Sequence, residues 1–194
     1  MTTVRWIVGV DEAGRGPLAG PVYVGACAMP VDFGEHQLQG VGDSKQMSER
    51  KRLGVYAHLK TLEGVRCAVS FSKNTHIDRK GIVRAVESAL TRALSSLNIN
   101  PKEALILLDG GLKAPEQYPH QETHIRGDAT KKVIGAASIL AKVSRDAHMT
   151  RLAKRYPEYG FNVHKGYGTK KHIQAIQMNG LTPIHRVTFC KNIV

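Results

Sequence analysis

The sequence is short of cysteine, of long apolar runs and of acidic residues, and each shortage excludes something. Its three cysteines, Cys27, Cys67 and Cys190, are odd in number and contain no Cys-x-x-Cys pair. A disulfide framework and a structural zinc site are both poor readings, and a reducing, cytoplasmic setting is the expectation. No apolar stretch approaches the ~20 residues that a membrane helix needs. The opening residues, Met1-Thr2-Thr3-Val4-Arg5-Trp6, lack the basic-then-apolar layout of a secretory signal, so no membrane partner is expected. Neither a Gly-x-Gly-x-x-Gly fingerprint nor a P-loop occurs, which removes the usual nucleotide cradles. No serine or cysteine sits in a nucleophile elbow, so acyl-transfer hydrolysis has little support.

What is present is a chain of 194 residues, 42% hydrophobic and 23% charged, which suits one globular domain and, by default, a monomer. Lysine and arginine number 28 against 16 acids, for a formal charge of +12. Residues 126 to 194 hold 13 of the basic residues and only Asp128, Asp146 and Glu158 as acids. A solvated basic face and a phosphate-contacting face are even readings of that charge alone, the second because clustered cations release counterions from nucleic acid.

Apolar patterning predicts strands over 4–10, 21–28 and 65–71, and a buried strand over 104–108, with a short strand over 123–126. It predicts helices over 49–62, capped by Ser48, over 74–97, over 130–155 and over 169–179. The mixture implies an α/β or α+β domain, with a helical portion over 150–194 that contributes to substrate binding. The small-residue run Gly135-Ala136-Ala137-Ser138 would allow the third long helix to approach a sheet closely.

Asp11-Glu12 and Asp109 follow apolar strands, and Asp128 lies between a strand and a helix. Each alone is as well explained as a turn-former or cap. Converging at one sheet rim, four carboxylates would suit hard divalent cations, which prefer oxygen ligands. Neighbouring strand residues point to opposite faces, so Asp11 and Glu12 are expected to share a site only where the strand bends or ends, at Ala13-Gly14. The loop Gly14-Arg15-Gly16-Pro17-Leu18-Ala19-Gly20 reads either as a tight connection or as backbone placed for close approach to a phosphate or sugar. His120 and His124 have Gln121-Glu122-Thr123 between them, which is no zinc motif, and His148, His172 and His185 read as surface or packing groups.

Together, Val10-Asp11-Glu12-Ala13-Gly14-Arg15-Gly16-Pro17-Leu18-Ala19-Gly20-Pro21 closely resembles the signature of bacterial ribonuclease HII. Asp43-Ser44-Lys45, Leu108-Asp109-Gly110, Gly127-Asp128, Ala136 to Val143, Arg145-Asp146 and His164-Lys165-Gly166-Tyr167 match in the family's order, from about Val8 to about Phe189. The resemblance implies an RNase H-like mixed sheet flanked by helices, with a small helical C-terminal region. It implies cleavage of RNA in RNA/DNA hybrids and incision of duplex DNA 5′ of an embedded ribonucleotide, leaving 3′-hydroxyl and 5′-phosphate ends. Asp11, Glu12, Asp109 and Asp128 map to the family's acids, which would hold two Mg²⁺ or Mn²⁺ ions. Gly14, Arg15 and Gly16 map to its substrate loop and Tyr167 to its junction-sensing tyrosine. Ser44, Lys45, Ser138, Lys142 and Lys165 are candidate backbone contacts, and Asp146 is a structural carboxylate. A non-catalytic hybrid-binding module and a resolvase-like nuclease acting on ordinary DNA are the competing readings.

Overall fold

A computed structural model describes residues 3–42, 44 and 46–193. Among them, five strands form one mixed sheet: β1 (Trp6–Ala13), β2 (Val22–Pro30), β3 (Arg66–Ser72), β4 (Ala104–Asp109) and β5 (His120–His124), in the order β3-β2-β1-β4-β5. β1, β4 and β5 run parallel, while β2 and β3 are antiparallel additions on the other side. The helices are α1 (Glu49–Leu59), α2 (Asn74–Lys80), α3 (Ile82–Ser96), α4 (Gly127–Thr130), α5 (Lys132–Arg155), α6 (Phe161–His164) and α7 (Lys170–Asn179).

Each face of the sheet is covered by one long helix, as parallel strands buried on both sides require. α3 turns Ala85, Val86, Ala89, Leu90, Ala93 and Leu94 onto Val8, Val10, Val22 and Val24. Burial of each valine or leucine there stabilises the fold by about 1.5–3 kcal/mol. α5 covers the opposite face, with Val133, Ile134, Ala136, Ala137 and Leu140 against Cys27, Met29 and Leu107. The approach is close, as the small-residue run predicts. A Cβ on Gly9 would stand 2.2 Å from the Val133 carbonyl oxygen, and one on Gly25 2.2 Å from that of Ala137. A third apolar cluster joins Ala19 and Met149 to Tyr159, Phe161, Ile176 and Cys190, tying the C-terminal segment to the loop after β1.

Three boundaries differ from the patterning. The helix expected over 74–97 is two helices, because Gly81 adopts φ +81° and breaks the ladder. The break leaves Asp78 free to accept hydrogen bonds from the amides of Val187, at 3.1 Å, and Thr188, at 3.0 Å. β5 begins at His120, three residues earlier than expected, and Arg126 turns left-handed at φ +56° to start α4. β1 continues to Ala13 instead of stopping at Val10. Its parallel pairing with β4 ends at Val10 opposite Leu108, but antiparallel pairing with β2 carries on through Asp11, Glu12 and Ala13. Cys27 and Cys67, distant in sequence, are register partners across β2 and β3, and both are free thiols.

Candidate active site

Because β1 and β4 are parallel, Asp11-Glu12 and Asp109 arrive at the same edge of the sheet. A cavity of about 550 Å³ opens there, lined by Asp11, Glu12, Gly14, Arg15, Gly16, Ser44, Asp109, Ser138, Lys142 and Tyr167. No bend in β1 is needed to bring Asp11 and Glu12 to it. Asp11 lies on the α5 side of the sheet and Glu12 on the other, and the cavity wraps the end of the strand where both sides open.

Asp11 is 4% exposed, and its Oδ1 accepts the Glu12 amide at 2.7 Å. Burial, followed by the nearby charges of Glu12 and Asp109, pushes its carboxyl up to about 8 from an ordinary 3.8, against the opposing effect of the Ser138 hydroxyl. Burial also raises Glu12, while Arg15, 3.6 Å away, pulls it back. Ser138 shares a 2.8 Å hydrogen bond with Ser44. The Ser44 carbonyl in turn accepts from Arg52 Nη1 at 2.8 Å, and the Met47 carbonyl accepts from the same nitrogen. Ser44 and Ser138 therefore brace Asp11 from behind. Asp109 Oδ1 accepts the Gly127 amide at 2.6 Å, which ties the end of β4 to the start of α4.

Asp128, next in sequence to Gly127, is 5% exposed and is not among the residues lining the cavity. Among the described residues, no three Asp, Glu, His or Cys side chains stand close enough together to form a finished metal shell. The donor set is nonetheless all oxygen, and the raised carboxyl of Asp11 marks buried acids without enough positive charge beside them. Those are the properties of a site suited to a hard divalent cation.

The loop from 14 to 20 is held by two arginines that sequence reading counts toward the basic face. Arg145 and Arg186 are 1% and 0% exposed. Arg145 donates from Nε to Pro21 O at 3.0 Å and from Nη2 to Ala19 O at 3.3 Å. Arg186 donates from Nη2 to Gly14 O at 2.6 Å, from Nη1 to Arg15 O at 2.7 Å and from Nε to Gly20 O at 3.0 Å. Gly14, at φ +96°, admits Arg145 so closely that a Cβ would lie 2.0 Å from its Nε. These arginines satisfy loop carbonyls and contribute nothing to a surface. Arg145 falls in a recognised motif and Arg186 in none, and nothing in their spacing distinguishes a buried arginine from a phosphate-facing one. Arg52 carries no sequence signal.

Tyr167 is 43% exposed at the cavity wall, with Arg145 Cζ 5.6 Å from its ring centre. Its carbonyl is fixed by a histidine relay. The Thr182 amide donates to His185 Nδ1 at 2.9 Å, so His185 Nε2 carries the proton toward His172 Nε2, 3.1 Å away. His172 Nδ1–H then donates to Tyr167 O at 2.9 Å. His172 and His185 are packing groups, as expected.

The remaining candidates divide. Lys142 lines the cavity with its ammonium 2.8 Å from Asp146, which explains that acid as its partner. Lys165 lies away from the cavity, donating to Thr150 Oγ1 at 2.9 Å and Asn162 O at 2.6 Å. Lys45 lies outside the described residues. No described helix is long and apolar enough to cross a membrane.

The ribonuclease HII profile matches residues 8–192. A ribonuclease HII from Endomicrobium trichonymphae is 46% identical over 183 residues, covering 94% of this chain and 84% of its own. The crystal structure of the ribonuclease H2 from Pyrococcus horikoshii OT3 superposes with a TM-score of 0.79 at 26% identity, over 97% of this chain and 96% of its own. Bst-RNase HIII in complex with Mn²⁺ shares the fold at 20% identity and a TM-score of 0.64, over 93% of this chain and 64% of its own. With its carboxylates at the ends of adjacent parallel strands and a family match over nearly its whole length, the chain belongs to the ribonuclease HII family and is a metal-dependent hydrolase of the ribonuclease H class.

Proposed function

We propose that the chain cleaves the RNA strand of RNA/DNA hybrids and incises duplex DNA on the 5′ side of embedded ribonucleotides, leaving 3′-hydroxyl and 5′-phosphate ends. The observation that carries this reading is the single cavity shared by Asp11, Glu12, Asp109, the 14–16 loop and Tyr167. Carboxylates suited to metal and groups suited to examining a sugar lining one cavity support this reading. Asp11, Glu12, Asp109 and Asp128 would hold two Mg²⁺ or Mn²⁺ ions. When bound, such ions supply an acidified water and stabilise the departing 3′ oxygen.

The chain's own groups do the rest. Asp11 gives up the proton that burial holds on it when positive charge arrives. Arg15 keeps Glu12 at the cavity edge. With their carbonyls held by Arg186, Gly14 and Arg15 present a fixed stretch of backbone at the cavity wall. The 2′-hydroxyl is what distinguishes RNA from DNA at one nucleotide, and the 14–16 backbone meets it in this reading. Tyr167 stacks on the adjoining deoxyribose, selecting a ribo-to-deoxyribo junction. Lys142 meets the backbone phosphate, and the chain acts as a cytoplasmic monomer.

Matched duplexes, all-DNA or with one ribonucleotide, incubated with Mg²⁺, Mn²⁺ or chelator test the reading. Metal-dependent incision 5′ of the ribonucleotide alone is the expected result. Binding without cleavage would favour a hybrid-binding module, and cleavage of all-DNA duplex a general nuclease.

A further inference from the structure

A second hollow, of about 520 Å³, lies at the free edge of the sheet between the end of β3 and helices α2 and α3. Its polar lining includes Ser70, Ser72, Lys73, His76, Arg79 and Arg92, and no carboxylate among the described residues borders it. Arg92 is fixed in place, donating from Nε to Ser70 Oγ at 3.1 Å and from Nη2 to Phe71 O at 2.6 Å and Ser72 Oγ at 3.1 Å. No partner engages its Nη1 among the described residues. Lys73 and Arg79 are exposed and have no ion-pair partner among the described residues. Arg145 and Arg186, by contrast, are buried, and Lys165 is engaged with its own neighbours.

The register places this hollow relative to the acids. Val69, Gly25 and Asp11 share one cross-strand row, and Ser70, Val24 and Glu12 the next. Two strand spacings, about 10 Å, separate β3 from β1. The hollow and the acid cavity therefore occupy the same end of the sheet with only β2 between them. A nucleic-acid strand rises ~3.4 Å per nucleotide, so one duplex seated at the acids reaches the hollow within about three nucleotide steps.

We propose that this hollow is a second site for the phosphodiester backbone, holding phosphates of the bound duplex about three nucleotides from the bond that is cut. Placement of that bond rests on reading the acid cavity as the site of cleavage. Contact through Lys73 and Arg79 releases counterions, with Arg92 as a pre-oriented donor, so it carries affinity without base sequence.

The test is a binding titration in chelator, which needs no cleavage. Wild type and the double variant Lys73→Gln, Arg79→Gln are compared on a long ribonucleotide-bearing duplex and on one truncated to end about two base pairs from the ribonucleotide on either side. The variant should bind the long duplex about tenfold more weakly, with the slope of log K against log[salt] reduced by about 2, and match wild type on the short one. Equal affinity and slope on the long duplex would overturn the proposal, and so would an equal loss on both. Failure of wild type to incise in Mn²⁺ is a separate result, striking the catalytic reading and leaving the titration to decide whether the hollow binds nucleic acid.

Discussion

Asp109 receives a 2.6 Å hydrogen bond from the Gly127 amide, so one carboxylate both fixes the junction of β4 with α4 and faces the acid cavity. Asparagine keeps the accepting oxygen but loses the charge. Asp109→Asn should therefore melt within about 2 °C of wild type, while cleavage of a single-ribonucleotide duplex falls at least 100-fold. Normal turnover by the variant would remove Asp109 from the mechanism.

Metal binding should be linked to the titration of Asp11. Its folded carboxyl sits near 8 and its unfolded one near 3.8, so the metal-free fold binds the extra proton between those values. Stability in chelator should fall as pH rises through that window, and Asp11→Asn should flatten the decline. Calorimetry in buffers of different ionisation enthalpy should detect proton release on Mn²⁺ binding at pH 7, shrinking by pH 9.

The opposite slope is expected from His185. Burial, then the neighbouring His172, pushes its imidazole down to about 4 from 6.5. Below pH 6.5 the unfolded chain takes up a proton that the fold refuses, so this contribution is present above 6.5 and lost as pH falls toward 4. A His185→Gln variant should lose less thermal stability than wild type between pH 6.5 and 4, measured by scanning calorimetry.

Removing Arg186 leaves three loop carbonyls without their donor. Arg186→Ala should cost about 3 kcal/mol in urea unfolding, and Arg186→Lys should recover little, because an ammonium cannot reproduce the planar fork. Discrimination between ribonucleotide-bearing and all-DNA duplex should fall further than binding does. Unaltered discrimination in a folded variant would show that the loop needs no such clamp.

Tyr167→Phe keeps the ring and should cleave a single-ribonucleotide duplex nearly as well as wild type. Tyr167→Ala should lose about ten- to 100-fold there, on the scale of the ~1.5–3 kcal/mol that one large side chain's apolar contact contributes, and less on a long hybrid. Steady-state cleavage of both substrates decides the matter.

The strands and long helices were legible from apolar periodicity, and the small residues over 135–138 correctly announced an intimate helix–sheet contact. The end of β1 was not legible, because Asp11 and Glu12 look like a strand terminus, whereas pairing with β2 sustains the strand through both. The weak point at Gly81 was legible but the break was not, because a glycine costs a helix interior only about 1 kcal/mol and need not end it. The charge of the C-terminal stretch was visible in amount, yet its destination was not. A guanidinium saturated by carbonyls and one facing solvent are spelled with the same letter.

The clamp from Arg186 to Gly14 and Arg15 also imposes an order on manufacture. The 14–20 loop is synthesised early, but the carbonyls of Gly14, Arg15 and Gly20 acquire their side-chain donor only once Arg186 has been made. A chain cut short before that point would carry the acids and the strands of the sheet without a settled loop beside them. The acids are thus in place along the chain well before the backbone beside them can be fixed.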